Sequence, residues 1–136
     1  MVLGGEDRNV EELGAYVAWL INSRMFTDYV ERTSESAITD VRLQSSTGAD
    51  FLATDLHGEL KPSALSDTGR LFTEYYLLSG RYNQDYQSVE FSGENEWVRY
   101  GDLAPLMSKA FREFEADQNP RVVNKLAKVL QFPRKR

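Results

Sequence analysis

A chain of 136 residues with a net charge of −5 is the size of one domain, long enough to bury roughly two-thirds of the surface its unfolded form exposes. An apolar fraction of 41%, with 12% aromatic residues, is too high for a disordered chain. The absence of cysteine excludes disulfides, thiolate nucleophiles and cysteine–zinc sites, and any histidine-based metal site or Ser–His–Asp relay would hang on the single histidine, His57.

The opening MVLGGEDRNVEE lacks the basic n-region and apolar h-region of a secretion signal. The longest unbroken apolar run, Leu13 to Ile21, spans nine residues, against about 20 for a bilayer span. The expectation is a cytoplasmic protein without membrane contact. Asn9, with Glu12 three residues on, is placed to cap the first helix. Val10, Leu13, Val17, Leu20 and Ile21 then recur at helical spacing, and Tyr16 and Trp19 widen the apolar face. A helix apolar nearly all round belongs at the centre of a fold. Thr33 and Ser34 can cap a second helix through Ala37, Ile38 and Val41. Thr47 with Asp50 repeats the capping pattern ahead of Phe51 and Leu52.

Residues 54–66, TDLHGELKPSALS, read as a loop punctuated by Gly58 and Pro62. Ser66 or Asp67 opens the next helix, with Leu71, Phe72, Tyr75 and Tyr76 as one inward stripe. Gly80 suits the left-handed residue that ends such a helix, and Asn83 is placed to cap the segment carrying Tyr86. In SVEFSGENEWVRY, Val89 and Phe91, then Val98 and Tyr100, alternate with polar residues around Gly93, which allows a small β-hairpin near 88–100. Asp102 is placed to cap a helix carrying Leu103, Leu106, Met107, Ala110, Phe111 and Phe114, with Pro105 in its first turn. Asn119–Pro120 announces a last, basic amphipathic helix over 119–132, its Val122, Val123, Leu126, Val129 and Leu130 inward and Lys125 and Lys128 solvated. The fold class is mostly α: one compact domain, residues 1–136, of five to seven helices around Trp19, Phe51, Phe72, Tyr75, Phe111 and Phe114.

Charge is unevenly spread. Residues 1–117 hold all 21 acidic residues and ten basic ones, and residues 118–136 hold six bases and no acid. An acidic body disfavours nucleic acid, since phosphate contacts need clustered Lys and Arg. Calcium-loop, GxGxxG, GxxxxGK[ST], GxSxG and HExxH patterns are absent. Carboxylates are plentiful, but acid–base work needs two in a dry cleft with separated pKa values, and most belong on a solvated surface. His57 lies in a loop, where a structural or exposed role outweighs a catalytic one. No catalytic residue, cofactor or metal ligand is expected. Tyrosine beside acid is a different signal: Tyr82, Asp85 and Tyr86, with Glu90, Glu94 and Glu96, read as an outward surface for a basic protein partner.

The segments AYVAWLI (15–21), TGADFLATDLHGEL (47–60), LSDTGRLFTEYY (65–76), YNQDY (82–86) and EWVRYGDLAPLMSKAFREFE (96–115) occur in an order that resembles a family of small uncharacterised bacterial proteins. That family carries a G-x-[FY]-L-A-W helix, a G-x-[DE]-F-L turn and helix, an E-G-x-x-F-x-x-x-Y-Y helix and a W-x-x-Y-x-x-[IL]-x-P-x-[IL] segment. The corresponding residues are Gly14, Ala18 and Trp19; Gly48, Asp50, Phe51 and Leu52; Gly69, Phe72, Tyr75 and Tyr76, the tyrosine pair one position nearer the phenylalanine than in the family; and Trp97, Tyr100, Leu103, Pro105 and Leu106, the last one position nearer the proline. Where the family usually has a histidine before its first glycine, this chain has Glu12 and Leu13. Its members are similar to the small acidic proteins beside bacterial polymorphic toxins, so the resemblance implies an immunity protein that occludes a basic toxin domain. An adaptor or regulator of a cellular protein is the alternative, and a carboxylate-dependent hydrolase stands behind both.

Overall fold

A computed structural model describes the backbone of residues 3–4, 7–89 and 96–130 and the side chains of 11–89 and 96–118. Among the described residues there are seven α-helices: α1 (Asp7–Asn22), α2 (Asp28–Thr33), α3 (Glu35–Arg42), α4 (Gly48–Thr54), α5 (Asp67–Leu78), α6 (Arg81–Ser88) and α7 (Glu96–Leu130). Strands β1 (Leu3–Gly4) and β2 (Glu59–Leu60) pair antiparallel, Leu3 opposite Leu60. The fold is mostly α, and no helix among the described residues is long and apolar enough to cross a membrane.

Helix α1 is the spine expected from its all-round apolarity. Residues 13–21 are buried without a break, and the helix packs against α4, α3 and α7. It begins at Asp7, two residues before the expected cap at Asn9. The tightest packing is with α4. A Cβ on Gly14 would stand 2.6 Å from the Ala49 nitrogen, and one on Gly48 would stand 2.8 Å from the Ala18 nitrogen and run into the Gly14 carbonyl. Both helices therefore need glycine where they cross. The Thr47–Asp50 capping box fixes the start of α4, with Asp50 N donating to Thr47 Oγ1 at 3.0 Å and Thr47 N donating to Asp50 Oδ2 at 3.3 Å. Phe51 and Leu52 are thereby turned into the core.

A third close approach holds α5. Ser66 caps it, accepting from Gly69 N at 3.1 Å, and a Cβ on Gly69 would lie 2.6 Å from the Met25 carbonyl oxygen. The Met25 carbonyl also accepts from Ser66 N at 2.8 Å, and Thr27 N donates to Ala64 O at 2.9 Å. The turn after α1 is thus tied to the entry of α5. Gly80 takes the expected left-handed conformation, φ +84°, and reverses the chain into α6.

Several expectations are corrected. Helix α2 has one buried apolar residue, Val30, so its six residues offer no period to read. Thr27 caps it, accepting from Val30 N at 3.2 Å. Ser34 does precede α3 but makes no side-chain cap bond. No strand forms at Val98 and Tyr100, because α7 starts at Glu96. Trp97, Tyr100, Leu103 and Met107 carry a helical period, and it outweighs the two-residue alternation; Val98 is exposed. Residues 90–95, the other half of the expected hairpin, lie outside the described residues.

Asp102 and Pro105 consequently fall inside α7 rather than at its start. The missing Pro105 N–H deprives the Gly101 carbonyl of its helical partner, but both residues are exposed, where solvent can take that bond. Nor does Asn119–Pro120 begin a new helix: residues 119–130 continue α7, which runs 35 residues. A proline can kink a helix without stopping it, and Glu115 to Gln118 ahead of it are exposed. Leu71 points outward and Tyr75 and Phe111 are half-buried, so the inward stripes are narrower than expected.

Candidate functional site

The tyrosines and acids singled out as a surface sit in three different environments. Tyr82 is 3% exposed. Its ring lies 5.5 Å from both Tyr16 and Tyr76, and its hydroxyl donates to the Glu12 carbonyl. Burial pushes its pKa up. Tyr82 is core, and the expectation that it faces a partner is overturned. The cause is helix phase: α6 starts at Arg81, directly after the left-handed Gly80, so Asn83 is not its cap and its first tyrosine falls on the α1 side.

Asp85 is largely engaged inside the chain. It accepts from the Tyr76 hydroxyl at 2.7 Å and lies 3.8 Å from Arg81 Nε. Burial first, then the bond to Asp85, hold Tyr76 in its protonated form. Arg81 also pairs with Glu113 on α7, and that contact holds the Glu113 carboxyl below its ordinary value. Tyr86 is half-buried, with the Arg99 guanidinium 4.6 Å above its ring centre. Glu90 and Glu94 lie outside the described residues.

Glu96 lies near the start of α4, close to Thr47 and Ala49. Burial raises its pKa, and Glu11 and Asp50 add to the rise; the nearby polar groups of Ala49 and Thr47 oppose it. Glu11 and Asp50 are exposed, and no metal-ligating cluster occurs among the described residues. A carboxyl raised in the folded state binds protons more readily there than in the unfolded chain. It therefore subtracts stability as pH rises through and above its ordinary value of 4.5, and subtracts nothing well below it. Glu96→Gln keeps the shape and removes the charge. Its melting temperature at pH 7 should exceed wild type by a small margin, and the two should converge below about pH 4.

Helix α5 carries an exposed apolar ridge. Leu71 is 45% exposed and Leu78 is 66% exposed. With Tyr75 between them they stand at i, i+4 and i+7, one ridge along one helix face. Tyr75 is anchored from below by Phe114 at 5.2 Å and Phe72 at 6.2 Å. Beside the ridge, Arg70 lies 3.7 Å from Asp67 and 4.0 Å from Glu74, and on α7 the exposed Glu113 and Glu115 flank Phe114. The other exposed large apolar residues, Tyr29, Leu43 and Val98, stand apart from one another in the chain and have the scatter usual for a surface. Leu71 faces out where an inward position was expected, and nothing local to Leu78 marks it as part of a surface. The available signal is that a helix packed on α6 and α7 cannot bury a face as wide as this sequence offers.

Among the described glycines, those packed closest against other elements are Gly14, Gly48 and Gly69, one in each of the first three motifs of the resemblance. A family model for a domain of unknown function, DUF7832, matches residues 5–99. The chain belongs to that family. The match spans α1 to α6 and the first residues of α7, so it holds all three close-approach glycines. It stops short of Tyr100, Leu103, Pro105 and Leu106. No curated protein and no solved structure matches the chain.

Proposed function

We propose that this DUF7832 protein is a non-enzymatic binding protein whose α5 ridge docks on a basic protein, and that its role is immunity: neutralising a bacterial toxin by covering the toxin's active surface. The observation that carries the reading is the ridge itself. Three large apolar residues in line, two of them well exposed, are held on one helix and rimmed by charge: Asp67 and Glu74 around Arg70, with Glu113 and Glu115 on α7. Such a patch combines an apolar centre with a charged rim, the anatomy of a protein–protein interface. The acid excess of residues 1–117 supplies the sign of the partner. Long-range attraction would speed encounter with a basic surface, and burial of Leu71, Tyr75 and Leu78 would slow release.

The test is affinity capture with wild type and a Leu71→Asp/Leu78→Asp variant from a strain that carries the natural gene neighbourhood. Both leucines are exposed, so the variant should keep its melting temperature. Wild type should retain a protein of basic pI, and the variant should lose it. Retention of the same protein by both would place the interface elsewhere.

A further inference from the structure

We infer that the groove between α2 and α3 is a binding site for a small molecule carrying a phosphate or comparable dianion, gripped by Arg24, Arg32 and Arg42. The groove has a volume of about 490 Å³ and is lined by these three arginines with Glu31, Glu35, Ile38 and Thr39. That volume is in the range of small-ligand sites. Three arginines line this one groove, in a chain whose first 117 residues hold only ten bases against 21 acids.

The arginines are not equivalent. Arg42 is fixed in advance: its Nη2 donates to the Ile21 carbonyl at 2.9 Å and lies 3.2 Å from Glu31 Oε2. Glu31 is thereby neutralised, and Arg42 keeps further N–H donors for a ligand. Arg24 and Arg32 have no carboxylate partner among the described residues. A planar fork of donors suits the oxygens of a phosphate. Thr39 offers a hydroxyl and Glu35 an acceptor for a ligand's own hydroxyl groups, and the buried Ile38 supplies an apolar floor.

The backbone supplies the second argument. Arg24 is left-handed, φ +57°, in the turn that ends α1, where Met25 N donates to Leu20 O at 2.9 Å and Arg24 N to Ile21 O at 3.2 Å. Glycine is the favoured residue at that position. Gln44 occupies the same place after α3, φ +61°, but does not line the groove. At Arg24 the chain accepts a conformational cost and gains an arginine that lines the groove.

Isothermal titration with inorganic pyrophosphate and with ribose 5-phosphate, against sodium chloride at matched ionic strength, tests the site. Saturable one-to-one binding of at least one probe is expected. Arg32→Gln should weaken it about tenfold or more. Arg24→Gly should weaken it likewise while raising the melting temperature of the free protein, since glycine relieves the left-handed strain. Gln44→Gly should give the same thermal gain with binding intact, and Arg70→Gln, on α5, should leave binding unchanged. No saturable binding of either probe up to about 10 mM, well above the weak end of specific affinity, would overturn the assignment. Binding that survives both Arg32→Gln and Arg24→Gly would overturn it equally.

Discussion

Gly48→Ala should lower the melting temperature by roughly 5–15 °C, the effect of overpacking worth about 1–3 kcal/mol or somewhat more in a domain of this size. The added methyl would meet the Gly14 carbonyl and lie 2.8 Å from the Ala18 nitrogen. Both are backbone of the central helix, so no rotamer change relieves the contact. Ala is the better helix former by up to about 1 kcal/mol, and at the first residue of α4 little of that is realised. The clash wins. Gly14→Ala should behave alike, because its methyl would stand 2.6 Å from the Ala49 nitrogen. Gly101→Ala is the control: it is exposed in α7 with nothing within 4 Å of an added Cβ. There the propensity term stands alone and the melting temperature should rise slightly. Thermal denaturation of the three variants checks all of this; equal and small changes would mean α1 and α4 are not in the contact described.

Tyr82→Ala should cost about 3–5 kcal/mol, the range for deleting a buried aromatic side chain. The ring is in contact distance of Tyr16, Tyr76 and Tyr86, so its loss opens a hole in the aromatic column that joins α1, α5 and α6. Tyr82→Phe isolates the hydroxyl. It keeps the packing and strips the donor from the Glu12 carbonyl, at a cost of about 1–2 kcal/mol. Tyr86→Ala, at a half-buried ring, should cost less than Tyr82→Ala. A Tyr82→Ala protein that melts like wild type would restore this tyrosine to the surface and remove the basis for placing the interface on α5.

Much of the fold is legible in the sequence because its strongest signals are local. The nine-residue apolar run of α1 can be satisfied only by burial, and it is buried. The Thr47–Asp50 box, the Ser66 cap and the left-handed Gly80 are each set within four residues, and each stands where its sequence indicates. The features that escape a sequence reading depend on distance or phase. Nothing near Gly14 or Gly48 in sequence says that the two backbones touch across 34 positions. The orientation of Tyr82 and Leu71 hangs on where α6 begins and how much of α5 its neighbours cover, both tertiary facts. Alternation at Val98 and Tyr100 resembles a strand because the helical period that overrules it extends only when Trp97, Leu103 and Met107 are counted with them. The arginine groove is invisible for the same reason: Arg24, Arg32 and Arg42 come from three separate segments and share no motif.

On the proposed function, the outward face of α5 recognises a basic protein. The most direct measurement is the dissociation constant of the captured partner for wild type and for Leu71→Asp/Leu78→Asp, at two salt concentrations and with equal melting temperatures confirmed. The variant should bind about a hundredfold more weakly or worse, the loss typical of two central interface residues, and wild-type affinity should fall as salt rises. Equal dissociation constants for the two proteins would contradict the claim, as would a partner whose binding is indifferent to salt.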